Sequence, residues 1–345
     1  PFWVFAVLAF TCGFGGGDFS SYMPSTSLFF PKRLKGTALG IQAGIGNFGV
    51  SLAQFVTPLI LGVSLYGASA VFTSIDAKEA LSVFQTVEST KQKDVFSALE
   101  PQVQTALLSS VKPAVLDSVK ATIGTTDNAT LFVALPAKAK AKVMANANPK
   151  LAEKIMNQLS PDTKAVVNKP IYIQSAAFWY VPFLIILSII SWFYLRSIPM
   201  HSSIKEQMDI FGNKHTWYCT ITYVMTFGTF AGLSAAFPLM IKFLYGDFPN
   251  APDPLVYAFY GPLIGSASRV AFGFVADKVG GAILTTLTGV GIIGGAIVLI
   301  TQGLVAPTSL DQFPMFVGVI FLMFFFTGVG NAGDRKSTRL NSSHD

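Results

Sequence analysis

Of the 345 residues, 51% are hydrophobic, 12% are charged and 31 are Phe, and the mean hydropathy is +0.53. An average soluble domain carries roughly twice that share of charge, so the composition excludes an ordinary soluble domain and defines a membrane protein. The net charge of +6 does not indicate a nucleic-acid partner, because no basic patch is interleaved with aromatics and 12 of the 24 Lys and Arg fall in one polar block.

A transmembrane helix needs ~20 mostly apolar residues. Seven stretches meet that need, at 1–30, 37–66, 176–195, 216–243, 255–275, 280–303 and 313–332. The first contains Gly15-Gly16-Gly17-Asp18-Phe19, where Asp18 is an expensive charge or a buried carboxyl kept neutral by desolvation. It opens on Pro1 without an initiator Met, which reads as a fragment that begins after earlier spans. The run PKRLKG (31–36) then sets three cations between two apolar spans. Lys and Arg in short loops stay in the cytoplasm, so this turn is cytoplasmic, with Pro31 ending one helix and Gly36 opening the next.

In the second span, Gly36, Gly40, Gly44, Asn47, Ser51 and Gln54 fall within about a quarter-turn at 100° per residue. Small residues four apart let two backbones approach closely. Asn47 must find partners in hydrocarbon, either on a neighbouring helix or on a ligand. Alternation from the cytoplasmic turn sends residues 67–170 outside, with twelve Lys against nine Asp and Glu. The block is rich in helix formers broken by Pro101, Pro113, Pro136, Pro149 and Pro161, so it reads as a helical extracytoplasmic insertion. Its two readings are a tolerated insertion or a docking module.

The same alternation places the loop 196–214 and the Asp277-Lys278 turn in the cytoplasm. Tyr223 and Phe227, four apart, share a face with Ser234, which suits either a core pair or a cavity wall. Arg269 is the sharper signal, because it is the only cation in the apolar spans away from a membrane edge. An Arg at the bilayer centre costs ~2.5–3.5 kcal/mol even on the gentler insertion scale. Gly265, Ser266 and Gly273 share its face, so it points into the protein. It serves either as an anion site, for which its planar fork is suited, or as a structural ion pair with Asp18. Gly273, Asp277, Lys278 and Gly280 form a G-x-x-x-D-K-x-G turn, read as a gate latch or as solvated charges. The polar run 334–345 reads as an artefact of sequencing or vector. Cys12 and Cys219 lie in apolar runs and the three His lack ligand spacing, so no disulfide, metal or cofactor is expected.

CGFGGGDFSSYMPSTSLFFPKRLKGTALGIQAGIGNFGVSLAQF, with a nitrate signature at Ala38 to Ser51, resembles the nitrate/nitrite porter family of the major facilitator superfamily. The resemblance continues through FWYVPFL, SIKEQ, TFGTFAGLSAAF and GPLIGSASRVAFGFVADKVGG to FFFTGVGNA, and covers nearly all of 1–66 and 171–333. It implies an all-α, twelve-helix bundle of which this chain holds the fourth to tenth helices, about seven. These divide into the fourth and fifth (1–66), the insertion (67–170) and the sixth to tenth (171–333). It implies a cytoplasmic (inner) membrane location and a monomeric state, with nitrate, nitrite and the lipid bilayer as partners.

By resemblance, Arg269 matches the second of two substrate arginines and Phe19 and Phe227 the aromatic pair that sandwiches the anion. Tyr223 matches a hydroxyl donor, Asn47 the signature asparagine, and Gly40, Gly44, Gly46 and Ser51 the rest of the signature. Asp18 stands where many members have Asn, which raises proton-coupled symport beside nitrate/nitrite exchange. The alternatives are a transporter of another small anion, or a non-transporting sensor or scaffold that displays the insertion. An enzyme is not expected, since no nucleophile–base pair, metal cluster or phosphate loop occurs in the sequence.

Overall fold

The computed structural model describes the backbone of all residues except 1, 76, 86, 148, 158, 196–202, 204–207, 249–250 and 338–345, with the side chains of 5, 8–9, 12–21, 24, 32, 77–78, 149, 151, 154 and 334–337 also outside the description. The chain opens on α1 (Phe2–Phe29), turns through Lys32–Leu34 and continues as α2 (Lys35–Ile60). Beyond the insertion come α11 (Ser175–Phe178), α12 (Val181–Tyr194) and α13 (Lys214–Tyr223). A π-helical turn at Val224–Gly228 links α13 to α14 (Thr229–Tyr245). The series ends with α15 (Pro254–Ala258), α16 (Tyr260–Val279), α17 (Gly281–Thr301) and α18 (Phe313–Ser337). The architecture is that of an all-α polytopic membrane protein.

Some elements differ from expectation, the 255–275 span for instance being divided at Phe259 and running on to Val279. The second span stops at Ile60 and not at 66, because the chain turns at Leu61–Gly62 and Tyr66 takes a positive φ of 54°. The expected 216–243 helix is continuous in direction but carries the π turn in its middle.

Apolar side chains without polar competitors make these helices, and their neighbours decide which faces are covered. α12 buries none of its residues, and Ile185, Leu187 and Ile189 stay more than half exposed, a surface suited to acyl chains. By contrast, α14 and α18 interlock through Phe230, Phe237, Ile241 and Tyr245 against Phe316, Ile320 and Phe324. Phe230 and Phe237 meet Phe324 edge-on at centroid distances of 6.1 and 6.2 Å, the arrangement ring quadrupoles favour. α16 and α17 both pack along α18, and α2 runs antiparallel along α16.

The insertion is built on a different rule. Eight short helices, α3 (Ala77–Phe84), α4 (Ser89–Ser97), α5 (Pro101–Leu108), α6 (Pro113–Ile123), α7 (Asn128–Ala134), α8 (Ala137–Ala145), α9 (Pro149–Asn157) and α10 (Pro161–Val167), surround their own core. The core has a period of twelve residues. Phe84, Phe96, Leu108, Phe132, Met144 and Met156 are all buried at that spacing or its double. The prolines follow the same count, since Pro101, Pro113, Pro149 and Pro161 open helices, where a missing N–H costs nothing.

Two buried glutamines complete the repeat. The Gln92 amide donates to the carbonyls of Phe84 and Val87, and Gln104, twelve residues on, donates to those of Phe96 and Leu99. Each satisfies acceptors at the end of the preceding helix. Lys140, which donates to Gln92 Oε1 at 3.2 Å, is held below the ordinary lysine pKa by burial.

A short antiparallel sheet closes the insertion, a strand pairing that an all-helical reading does not anticipate. β1 (Phe72–Ile75) pairs with β2 (Asn168–Ile171) in the register Phe72↔Ile171 to Ile75↔Asn168. Both ends therefore return to one place. There Tyr172 N–H donates to the Leu61 carbonyl at 2.9 Å and Ser175 Oγ to that of Val63 at 2.8 Å.

Candidate functional site

The stripe on α2 meets its counterpart along its whole length. A Cβ on Gly40 would lie 2.8 Å from Gly273 Cα and 3.3 Å from the Arg269 carbonyl oxygen, and one on Gly44 would reach the Ser266 carbonyl at 3.1 Å. Only glycine permits that approach. Further along, Ser51 Oγ donates to the Phe259 carbonyl and Gln54 Nε2 to that of Ser234, both at 2.8 Å. Gly46 is different, since nothing lies within 4 Å of where its Cβ would stand. It is on the other side of the helix and takes no part in this seam.

Where α2 begins, the Asp277 carboxylate accepts from Gly36 N–H at 3.0 Å, Thr37 N–H at 2.7 Å and Thr37 Oγ1 at 2.8 Å. These are the donors at the start of α2 that no intrahelical carbonyl reaches, and a carboxylate there also meets the positive end of the helix dipole. The turn thus bonds α16 to α2, and a Cβ on Gly36 would push the Asp277 carboxylate out of this position. Gly280 stands at φ 98°, a backbone conformation suited to glycine, and lets α17 reverse direction at once. Lys278 is exposed and takes no part in these bonds to α2.

Arg269 is 1% exposed. It lies eight residues before Asp277, about 12 Å along the axis at 1.5 Å per residue, which puts it near mid-membrane. Ser268 beside it bonds to the Phe325 carbonyl on α18 at 3.1 Å, fixing the rotation of α16 about its axis. Tyr223 and Phe227 are stacked at 5.2 Å with their planes 3° apart, and Phe227 continues to Phe230 at 6.2 Å. Phe227 lies in the π turn, where an extra residue per turn re-aims the side chains. Asp18 and Phe19 fall on α1, and their side chains lie outside the described residues.

Two buried amides stand out. Asn47 is 7% exposed with its Nδ2 unpartnered, and Asn331 on α18 is 1% exposed with both Nδ2 and Oδ1 unpartnered, among the described residues. Buried polar atoms nearly always have partners, so such groups ask for a ligand. A Cβ on Gly328 would touch the Gly265 carbonyl and Ser268 Oγ. Asn331, one turn further along a helix running parallel to α16, is therefore level with Arg269. Sequence inspection did not single out Asn331; a lone amide among glycines at the end of an apolar span was the available signal. No group of three or more His, Cys, Asp or Glu that could hold a metal occurs among the described residues.

A polytopic helical bundle with a glycine-lined interhelical seam and a buried arginine at its middle has the build of a major facilitator. The chain belongs to the nitrate/nitrite porter family of that superfamily. It is 41% identical over 336 residues to a probable nitrate/nitrite antiporter, NarK2, of Thermus thermophilus, covering 97% of this chain and 56% of that protein. It is 27% identical over 334 residues to the nitrate/nitrite transporter NarU of Escherichia coli strain K12, covering 96% of this chain and 51% of that protein. The chain thus spans about half the length of these relatives. Residues 66–168 match a second family, the MgtE intracellular N domain.

Proposed function

We propose that this chain carries half of the anion site of a secondary transporter that exchanges nitrate and nitrite across the cytoplasmic membrane. The observation that carries the reading is Arg269, 1% exposed at mid-membrane beside a seam of glycines. A guanidinium placed there at a cost of several kcal/mol is stabilised by a small planar oxyanion, which its fork can hold by two parallel hydrogen bonds. Stacked Tyr223 and Phe227 offer a flat wall to such an ion. Asn47 and Asn331 supply neutral donors to its oxygens without adding charge.

Nitrate and nitrite each carry one negative charge, so their exchange is electroneutral. Release follows from movement of the two helix groups about the seam, with the Asp277 bonds to α2 made while the cytoplasmic side is closed and broken when it opens. Phe19 completes the aromatic sandwich in this reading. Proton-coupled symport is the second reading, and the titratable Asp18 next to Phe19 is what favours it.

The test is counterflow with the full-length protein in proteoliposomes. Nitrite-loaded vesicles are expected to take up labelled nitrate several times faster than empty ones, with little response to an imposed pH gradient. Uptake that follows the pH gradient and ignores internal nitrite would replace exchange with symport. No uptake in either arm would remove the transport reading altogether.

Orientation gives a separate prediction. The name of the family matched by 66–168 places its domain inside the cell, whereas the cationic loops here put that segment outside. Lys138→Cys is expected to react with an impermeant maleimide on intact cells, and Arg33→Cys only after permeabilisation. The reverse pattern would invert the topology.

A further inference from the structure

We infer that the insertion is a strap across the extracytoplasmic mouth, tied by both ends to the first helix group and clipped to the second through Lys150 and Asp247. The inference rests on the alternating-access reading and on the orientation given above. The tied side is covalent and hydrogen-bonded, because β1 and β2 bring the insertion's two ends back to the end of α2 through the bonds from Tyr172 to Leu61 and from Ser175 to Val63. The whole module is thereby anchored to α2 and α11, which precede the cytoplasmic loop that divides the halves.

The free side reaches the other half. Lys150, in the first turn of α9, places its Nζ 3.1 Å from Asp247 Oδ2, just beyond the end of α14. The same ammonium lies 5.9 Å from the centre of the Phe243 ring, and its Cε would be 3.4 Å from a Cβ on Gly246. The small residue lets the lysine stem lie on the helix end.

The contact is narrow. A cavity of about 490 Å³ opens beside it, between Lys150 and Glu153 of the insertion and Pro238, Leu239, Lys242 and Asp253 of the second half. A clip bounded by open space can release without unpacking a core. Its strength suits a switch, because the side chains are 28% and 71% exposed, and a pair that wet shifts a two-state population by at most about fivefold. Other ties on that side, among the described residues, include the Ser51 bond to Phe259, the Gln54 bond to Ser234 and the edge contact of Phe55 with Phe259 at 5.0 Å. Opening to the outside separates the halves there, so the strap must let go or move with it.

Lys142 and Ala306 are exposed, one on the insertion and one at the outer end of the second half. Spin labels on Lys142→Cys and Ala306→Cys, in the otherwise cysteine-free full-length protein in proteoliposomes, read the distance between the two groups. Two distances are expected, with the longer one enriched about three- to fivefold by Lys150→Glu. The charge-swapped pair Lys150→Asp with Asp247→Lys should restore the original ratio. A ratio unmoved by Lys150→Glu would overturn the strap while leaving transport in place, as would a single fixed distance in protein that performs counterflow. Loss of counterflow in the unsubstituted protein would instead overturn the transport reading on which the strap depends.

Discussion

Arg269→Leu in the full-length protein is expected to lower nitrate affinity at least thirtyfold and to leave the protein folded. Truncating one partner of a buried, hydrogen-bonded charge pair costs about 2–5 kcal/mol, which is roughly thirtyfold to several thousandfold in affinity. The direction for stability is opposite. The leucine removes a cation that is 1% exposed in a membrane interior, so the ligand-free protein should melt no lower than its parent. Thermal melts with and without nitrate separate the two effects, because a ligand raises the melting point only of a protein that binds it.

The parent should be stabilised by nitrate and the leucine variant should not. Arg269→Lys keeps the charge and loses the fork, so its affinity should fall about tenfold to a hundredfold and its discrimination between planar oxyanions should weaken. If Arg269→Leu binds nitrate like its parent, the arginine is a structural group and the site lies elsewhere. A leucine variant that does not fold would leave the lysine variant to decide, since unchanged binding there also removes the fork from the argument.

Much of this geometry is legible in the α2 sequence because a helix converts spacing into direction. Gly36, Gly40, Gly44, Ser51 and Gln54 fall on one face by counting alone, and each makes its contact across the same seam. Gly46 reads as part of the signature, yet periodicity puts it on another face and the structure leaves it in open space. Arg269 announces itself by cost, since no apolar environment tolerates a cation without a partner.

Other features are silent for physical reasons. The twelve-residue repeat of the insertion rests on a few apolar positions per repeat, as at Val95, Phe96 and Leu99 and again at Leu107, Leu108 and Val111, amid variable polar residues. Hydropathy averages over that signal, although the spacing of Pro101, Pro113, Pro149 and Pro161 follows it. The π turn at Val224–Gly228 has no composition of its own. Asn331 depends on the packing of α18 against α16, which a single helix does not encode.

Gly40→Ala should then be as damaging to transport as loss of the arginine, by a different route. The added methyl would stand 2.8 Å from Gly273 Cα, a backbone atom that cannot rotate aside, so α2 and α16 must separate by about an ångström. Overpacking of this kind costs ~1–3 kcal/mol. Four residues away, about 6 Å along the axis, the same displacement strips Asp277 from Gly36 and Thr37, whose bonds are 2.7–3.0 Å long. The cytoplasmic side then loses its closed state, and exchange should fall more than tenfold while nitrate still binds.

Gly46→Ala is the control. The same methyl group meets nothing within 4 Å there and raises helix propensity by up to ~1 kcal/mol, so exchange should be unchanged and the melting point equal or higher. Equal exchange by both variants would show that the glycine stripe reflects helix composition and not a seam on which the two halves move.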